Sequence, residues 1–162
     1  MLIERQELMQ TIGRIDLTDN DWKKFRAEEK EYANIRDYIM ARAEEAGINE
    51  RDRLRLELGV EEVVINVIHY AYEDGGDLYV RTSIDDGKFT IELVDHGIPF
   101  NPLEKHDERA VDTSDIEDRK LGGFGIEFMR KKFSKVEYSD EPFMGKRANR
   151  LSMTFEPKGL TI

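Results

Sequence analysis

Cysteine is absent from the 162 residues. No disulfide can brace the fold, no thiolate can attack a substrate, and a cysteine-built zinc site is excluded. Histidine is nearly as scarce. His69, His96 and His106 are the three, and none stands in an HExxH pattern or another short ligand spacing. The four prolines are scattered, and no repeat or low-complexity tract breaks the chain. Long apolar runs are missing too: none approaches the ~20 residues of a membrane-spanning helix. The opening MLIERQELMQ carries acids and no apolar centre, so no secretory signal is expected. Positive charge is in deficit, with 25 Lys and Arg against 35 Asp and Glu and a formal charge of -10. Such a chain repels a phosphate backbone at long range, which argues against DNA or RNA as partner. What is present is 39% hydrophobic and 37% charged residues, enough for one sizeable core inside a highly charged shell. The expectation is one soluble, cytoplasmic domain spanning 1–162.

Hydrophobic spacing orders the elements. Residues 1–17 are mixed and read as a loose arm or as a short strand over 11–17. From about 21 to 46, Trp22, Phe25, Tyr32, Ile35, Ile39 and Ala43 recur at intervals of three, four or seven, which predicts a helix capped by Asp19, Asn20 or Asp21 and ended by Gly47. A second helix is expected from about 50 to 72. Leu78, Val80, Thr82 and Ile84 alternate, Asp86-Gly87 marks a turn, and Phe89, Ile91 and Leu93 alternate again, which predicts a hairpin. Residues 95–121 show no period and much charge; a stretch that long reads as a lid or as disorder. A helix bearing Ile126, Met129 and Phe133 follows Gly122-Gly123-Phe124-Gly125, then a strand at Val136-Glu137-Tyr138 and a last one through Leu151, Met153 and Phe155. This order predicts an α+β two-layer sandwich, with helices on one face of a mixed, largely antiparallel sheet.

Three clusters carry chemistry. On the second helix Glu62, Asn66, His69 and Glu73 fall within one narrow stripe at 100° per residue. Gly59 lies beside the stripe, where a bulky residue would intrude. Either this is the wet face of an amphipathic helix, or it lines a cleft where a carboxylate and an amide offer oxygen ligands to Mg²⁺ or a general base. Next, Asp95-His96-Gly97 follows directly on a strand. It is either a plain Asp-Gly turn or a place where a flat ligand meets the backbone and an acceptor-only carboxylate takes a hydrogen bond from an exocyclic amine. Lastly, Gly122-Gly123-Phe124-Gly125 precedes a helix, with Arg119 and Lys120 before it and Arg130 to Lys132 after it. It is either a hinge or a phosphate cradle of backbone N–H groups. GxxxxGK[ST] and a strand-borne GxGxxG are both absent.

In this order and spacing the clusters resemble the GHKL ATPase superfamily of gyrase, the ninety-kilodalton heat-shock chaperone, histidine kinases and MutL. Within it the chain looks like the small anti-sigma-factor serine/threonine kinases. The N box runs Glu61-Glu62-Val63-Val64-Ile65-Asn66-Val67-Ile68-His69-Tyr70-Ala71-Tyr72. The first glycine box is Asp95 to Gly97 with Pro99-Phe100-Asn101-Pro102 after it, the second runs from Asp118 to Ile126, and Asn149-Arg150-Leu151 opens the last strand as in the family. The resemblance covers about residues 48–156, and residues 1–20 read as an added N-terminal arm. Tyr70 stands where the family often has histidine, so His69 is expected to be a packed or surface residue.

The resemblance implies ATP and Mg²⁺ as cofactors. Asn66 would hold the metal, Glu62 would be the catalytic base, Asp95 would hold the adenine amine, and Gly97 would make room for the base. Arg119, Gly122, Gly123, Gly125 and Ile126 would meet the triphosphate, and residues 103–121 would form the lid. It implies phosphorylation of Ser or Thr on a STAS-domain antagonist, binding of a sigma factor or analogous regulator, and, as in many related kinases, a homodimer. A nucleotide-gated binding module without phosphotransfer is the alternative. The catalytic half of a histidine kinase is disfavoured, because the helix expected over 21–46 holds no histidine, unless a partner supplies one in trans.

Overall fold

Two alternating runs build the centre of the sheet, and a tight turn joins them. The computed structural model describes residues 21–103 and 131–159. Its elements are β1 (Lys23–Arg26), α1 (Tyr32–Glu45) preceded by a 3-10 turn at Glu29–Glu31, α2 (Glu50–Tyr70), β2 (Asp77–Asp85), β3 (Lys88–Asp95), β4 (Lys135–Phe143) and β5 (Lys146–Phe155). Asp86 and Gly87 take φ of 52° and 76°, the paired left-handed conformation of a two-residue type I′ hairpin turn. Met144 and Gly145 (53° and 78°) repeat it between β4 and β5.

The strands lie in the order β1-β2-β3-β5-β4, and every described pairing is antiparallel, more uniform than the mixed sheet expected. Inward residues of β2, β3 and β5, among them Leu78, Val80, Phe89, Ile91, Leu93, Met153 and Phe155, meet Ile35, Ile39 and Ala43 of α1 and Leu56, Val60, Val63, Val64 and Ile68 of α2. Burying one such large aliphatic side chain contributes about 1.5–3 kcal/mol, so this layer fixes which side of α2 faces the sheet. The result is the expected α+β sandwich.

Residues 21–31 depart from expectation: they form β1 and the 3-10 turn instead of the first third of a helix. Phe25 pairs with Leu78 and enters the main core. Trp22, three residues earlier, belongs to a second cluster with Tyr79, Val94, Phe143 and Ala148 on the opposite face of the sheet. Three residues apart on a strand means opposite faces; on a helix it would mean the same face. There Trp22 meets Phe143 edge-on at 5.1 Å, with the guanidinium groups of Arg81 and Arg150 at 4.4 and 5.3 Å from its ring. Glu92 pairs with both arginines.

The start of α2 is tied to the far end of the chain. Asn49 caps the helix, its Oδ1 accepting from the Asp52 N–H at 2.9 Å. The Asp52 carboxylate, 1% exposed, accepts the N–H groups of Lys158 (3.2 Å) and Gly159 (3.0 Å) and pairs with Arg55. Among the described residues no helix is long and apolar enough to cross a membrane. The expected arm 1–20, nearly all of the lid over 103–121, and the second glycine box lie outside the described residues.

Candidate functional site

The C-terminal half of α2 and the facing ends of β3 and β5 enclose a cleft, lined by Val63, Asn66, Val67 and Tyr70 on the helix and by Leu93, Asp95, Asn149 and Leu151 on the sheet. Phe100 and Tyr138 close its sides. Apolar walls with a few convergent polar groups suit a flat heteroaromatic ligand. Tyr70 stacks on Phe100 with ring centroids 6.0 Å apart and planes 22° apart.

Asp95 is the last residue of β3 and is 7% exposed. Its Oδ1 accepts the Gly97 N–H and Asn149 Nδ2, both at 2.9 Å. Burial drives its pKa above the ordinary carboxylate value, against the opposing pull of Asn149, the Gly97 N–H, Arg147 and His96. The turn after Asp95 is held by Tyr72, whose hydroxyl accepts the His96 N–H and donates to the Asp77 carbonyl, each at 2.7 Å.

Asn66 lies one turn beyond Glu62 on α2. Its Oδ1 is out of contact with solvent and has no hydrogen-bond partner among the described residues. A buried amide oxygen without a donor costs about 1–3 kcal/mol, and so needs an explanation. A hard cation that prefers oxygen ligands is one such partner. Among the described residues no group of three His, Asp or Glu forms a metal cluster, so a cation here would draw most of its ligands from elsewhere.

The predicted residues separate on the structure. Asn66 and Asp95 share the cleft, with Glu62 half-buried a turn away. Gly97 stands beside them, against the end of α2. A Cβ placed on it would lie 1.9 Å from the Ala71 carbonyl oxygen, so its missing side chain accommodates the end of α2. Gly59 likewise makes room for protein, the Phe133 ring, 2.7 Å from where its Cβ would be. The polar stripe of α2 splits: Asn66 turns to the cleft, while His69, about 60° round the helix, pairs with Glu29 at 2.8 Å, the surface role expected of it. Arg119, Gly122, Gly123, Gly125 and Ile126 lie outside the described residues.

Sequence reasoning gave no role to Tyr70, Phe100, Tyr138 or Arg147. Arg147 and Tyr138 reach the site through the registers of β5 on β3, with Asp95 opposite Asn149, and of β4 on β5, and a strand register is not visible in spacing alone.

A helix layer on an antiparallel sheet, opening this cleft beside the end of β3, is the fold of a GHKL-type ATPase. The chain belongs to the family of the histidine kinase-like ATPase domain, whose family model matches residues 25–155. The match begins within β1, some twenty residues before the region in which the resemblance was legible. Among solved structures it is similar to the catalytic domain of histidine kinase ThkA, at 14% identity and TM-score 0.43 over 85% of this chain and 99% of that one. It is also similar to Acinetobacter baumannii histidine kinase AdeS, at 13% identity and TM-score 0.42 over 98% of this chain and 83% of that one. No curated protein sequence matches it.

Proposed function

We propose that the protein binds Mg-ATP in the cleft between α2 and the ends of β3 and β5 and transfers its terminal phosphoryl group to a serine or threonine hydroxyl of a partner protein. The observation that carries this reading is the buried Oδ1 of Asn66, without a partner among the described residues, beside the acceptor carboxylate of Asp95. The residues fit the group: an orphaned amide oxygen suits Mg²⁺, an acceptor-only carboxylate suits an exocyclic amine, and the Tyr70–Phe100 stack with apolar walls suits a purine. Mg-ATP, when bound, supplies the transferable phosphoryl group and the cation that offsets its charge.

The chain does the positioning. Asn66 holds the metal through Oδ1, and Asp95 orients the base with the carboxylate oxygen that Asn149 and Gly97 leave aside. Glu62, one turn before Asn66, takes the proton from the attacking hydroxyl. Arg119, Gly122, Gly123, Gly125 and Ile126 are assigned to the triphosphate by resemblance. The same resemblance supports a STAS-domain antagonist as the hydroxyl donor, a sigma factor or analogous regulator as a bound partner, and a homodimer. The helix that precedes α2 among the described residues, α1, contains no histidine to be phosphorylated.

The test is a pull-down with and without Mg-ATP, phosphosite mass spectrometry on what binds, and transfer from labelled ATP. Glu62→Gln is expected to keep nucleotide affinity while transfer falls by about 10²-fold or more. Transfer at the wild-type rate would remove Glu62 as the base. Binding with no phosphoprotein from the wild type would favour the nucleotide-gated module.

A further inference from the structure

Arg147, near the start of β5, reaches across the inner face to the loop that follows Asp95. Its Nη1 donates to the Gly97 carbonyl at 3.0 Å and its Nη2 to Asn149 Oδ1 at 2.6 Å. Nε is anchored on Asp140 at 3.0 Å, and the Tyr138 hydroxyl lies 3.3 Å from Nη2. Asn149, 6% exposed, is the hub between Arg147 and Asp95. Its Oδ1 accepts from Arg147, the Tyr138 hydroxyl and the Phe100 N–H. Its Nδ2 donates to Asp95 Oδ1 at 2.9 Å and to the Ile98 carbonyl at 2.8 Å.

An asparagine amide can be inverted at little intrinsic expense, and its partners decide which end goes where. Here one orientation alone is compatible. A guanidinium and a backbone N–H can only donate; a carboxylate and a backbone carbonyl can only accept. Inverting Asn149 would set oxygen against the Asp95 carboxylate and the Ile98 carbonyl, and an NH₂ group against Arg147 and the Phe100 N–H. The charged donor weighs most in that choice, since hydrogen bonds to charged groups are about twice as strong as neutral ones.

We propose that Arg147 is a positioning residue for the base-recognising carboxylate of Asp95: by locking the Asn149 amide and holding the Gly97 carbonyl, it commits Asp95 Oδ1 to the protein and leaves Oδ2 to read an exocyclic amine. The nucleotide half of this inference rests on the ATP reading above; the half concerning Asp95 does not. A guanidinium is required because two of its nitrogens act at once on two groups, which a lysine ammonium cannot reproduce with the same geometry.

Nucleotide-free protein provides the first readout. The Asp95 carboxyl is titrated by carbon NMR in the wild type, Arg147→Ala and Arg147→Lys, with the Asp52 carboxyl as internal control. His96, Tyr72 and Tyr138 also face Asp95 and are unchanged in both variants. Asp95 is expected to titrate higher in Arg147→Ala and to return part of the way in Arg147→Lys, while Asp52 stays in place. The second readout is affinity for ATP against inosine triphosphate, which lacks the exocyclic amine. In Arg147→Ala, ATP affinity is expected to fall about tenfold with inosine triphosphate unchanged, so that discrimination collapses. An unmoved Asp95 titration, or equal losses for both nucleotides, would overturn the positioning role. If the wild type bound neither nucleotide, the ATP reading would fall, and the Asp95 titration would still decide the role of Arg147.

Discussion

Gly97 rests against the carbonyl of Ala71, the residue that caps α2, and the next N–H, that of Ile98, donates to the same oxygen at 3.0 Å. The loop bearing the candidate base-binding residues is thus seated on the end of the helix bearing the candidate metal and proton-transfer residues. The contact is backbone on backbone, so nothing at Ala71 can rotate away. Gly97→Ala is expected to destabilise the fold by about 3 kcal/mol, at the upper end of overpacking effects. Where it folds, nucleotide affinity should drop as well. Urea denaturation and calorimetric titration check the two effects separately; wild-type stability would show that the loop can lift off the helix without loss.

Asp95→Asn separates stability from recognition. With a folded pKa raised by burial, the favourable contribution of this carboxyl is fully present below its unfolded value, near 3.9, and is lost as pH rises through the folded value. At neutral pH the charge is therefore a burden. An asparagine can still accept from the Gly97 N–H and Asn149 while presenting NH₂ to the cleft. The variant is expected to be at least as stable as wild type at pH 7 and to bind ATP at least tenfold more weakly, on the order of one lost charged hydrogen bond. Thermal melts and titration calorimetry on the same sample decide it.

Asp52 has the opposite sign. Burial pushes its pKa up, but the N–H groups of Gly159 and Lys158 and the Arg55 guanidinium outweigh it and hold the carboxyl below its usual value. Its contribution is present above the unfolded value and is lost as pH falls through the folded one. Asp52→Asn should cost about 2 kcal/mol at pH 7, and the gap from wild type should close on acidification below about pH 4. Denaturation curves from pH 7 to pH 3 show whether the gap narrows; a constant difference would mean that charge is not what the clamp uses.

Gly59 faces the ring of Phe133, which is 4% exposed and packs edge-on against Phe155 at 6.3 Å. Alanine is the better helix former by about 1 kcal/mol, yet its methyl would stand 2.7 Å from a buried ring atom. Steric displacement is expected to win, leaving Gly59→Ala about 1–2 kcal/mol less stable. Phe133→Leu in the same chain should recover part of the loss. A gain in melting temperature for the single variant would show that the ring moves freely.

The hairpin at Asp86-Gly87, α2 and the Asp95 box were legible because each rests on a local rule: turn geometry, helical period, a carboxylate at a strand end. β1 was not, for a physical reason. Both faces of this sheet bury aromatic residues, so a short strand with Trp22 on one face and Phe25 on the other carries the three-residue spacing of a helix. The Asn149–Arg147 arrangement was hidden differently. It depends on the register between β3 and β5, two strands more than fifty residues apart in the chain. Of the α2 stripe, angle alone identified Asn66, but only packing told it apart from His69.

Trp22 is the single tryptophan, and it sits on the face of the sheet turned away from the cleft, edge-on to Phe143 and flanked by two arginines. The intrinsic fluorescence of this protein therefore originates from the outer seam where β1 joins the sheet. An emission change on heating or in denaturant reports that strand coming away, while ligand binding on the opposite face must be followed by another probe.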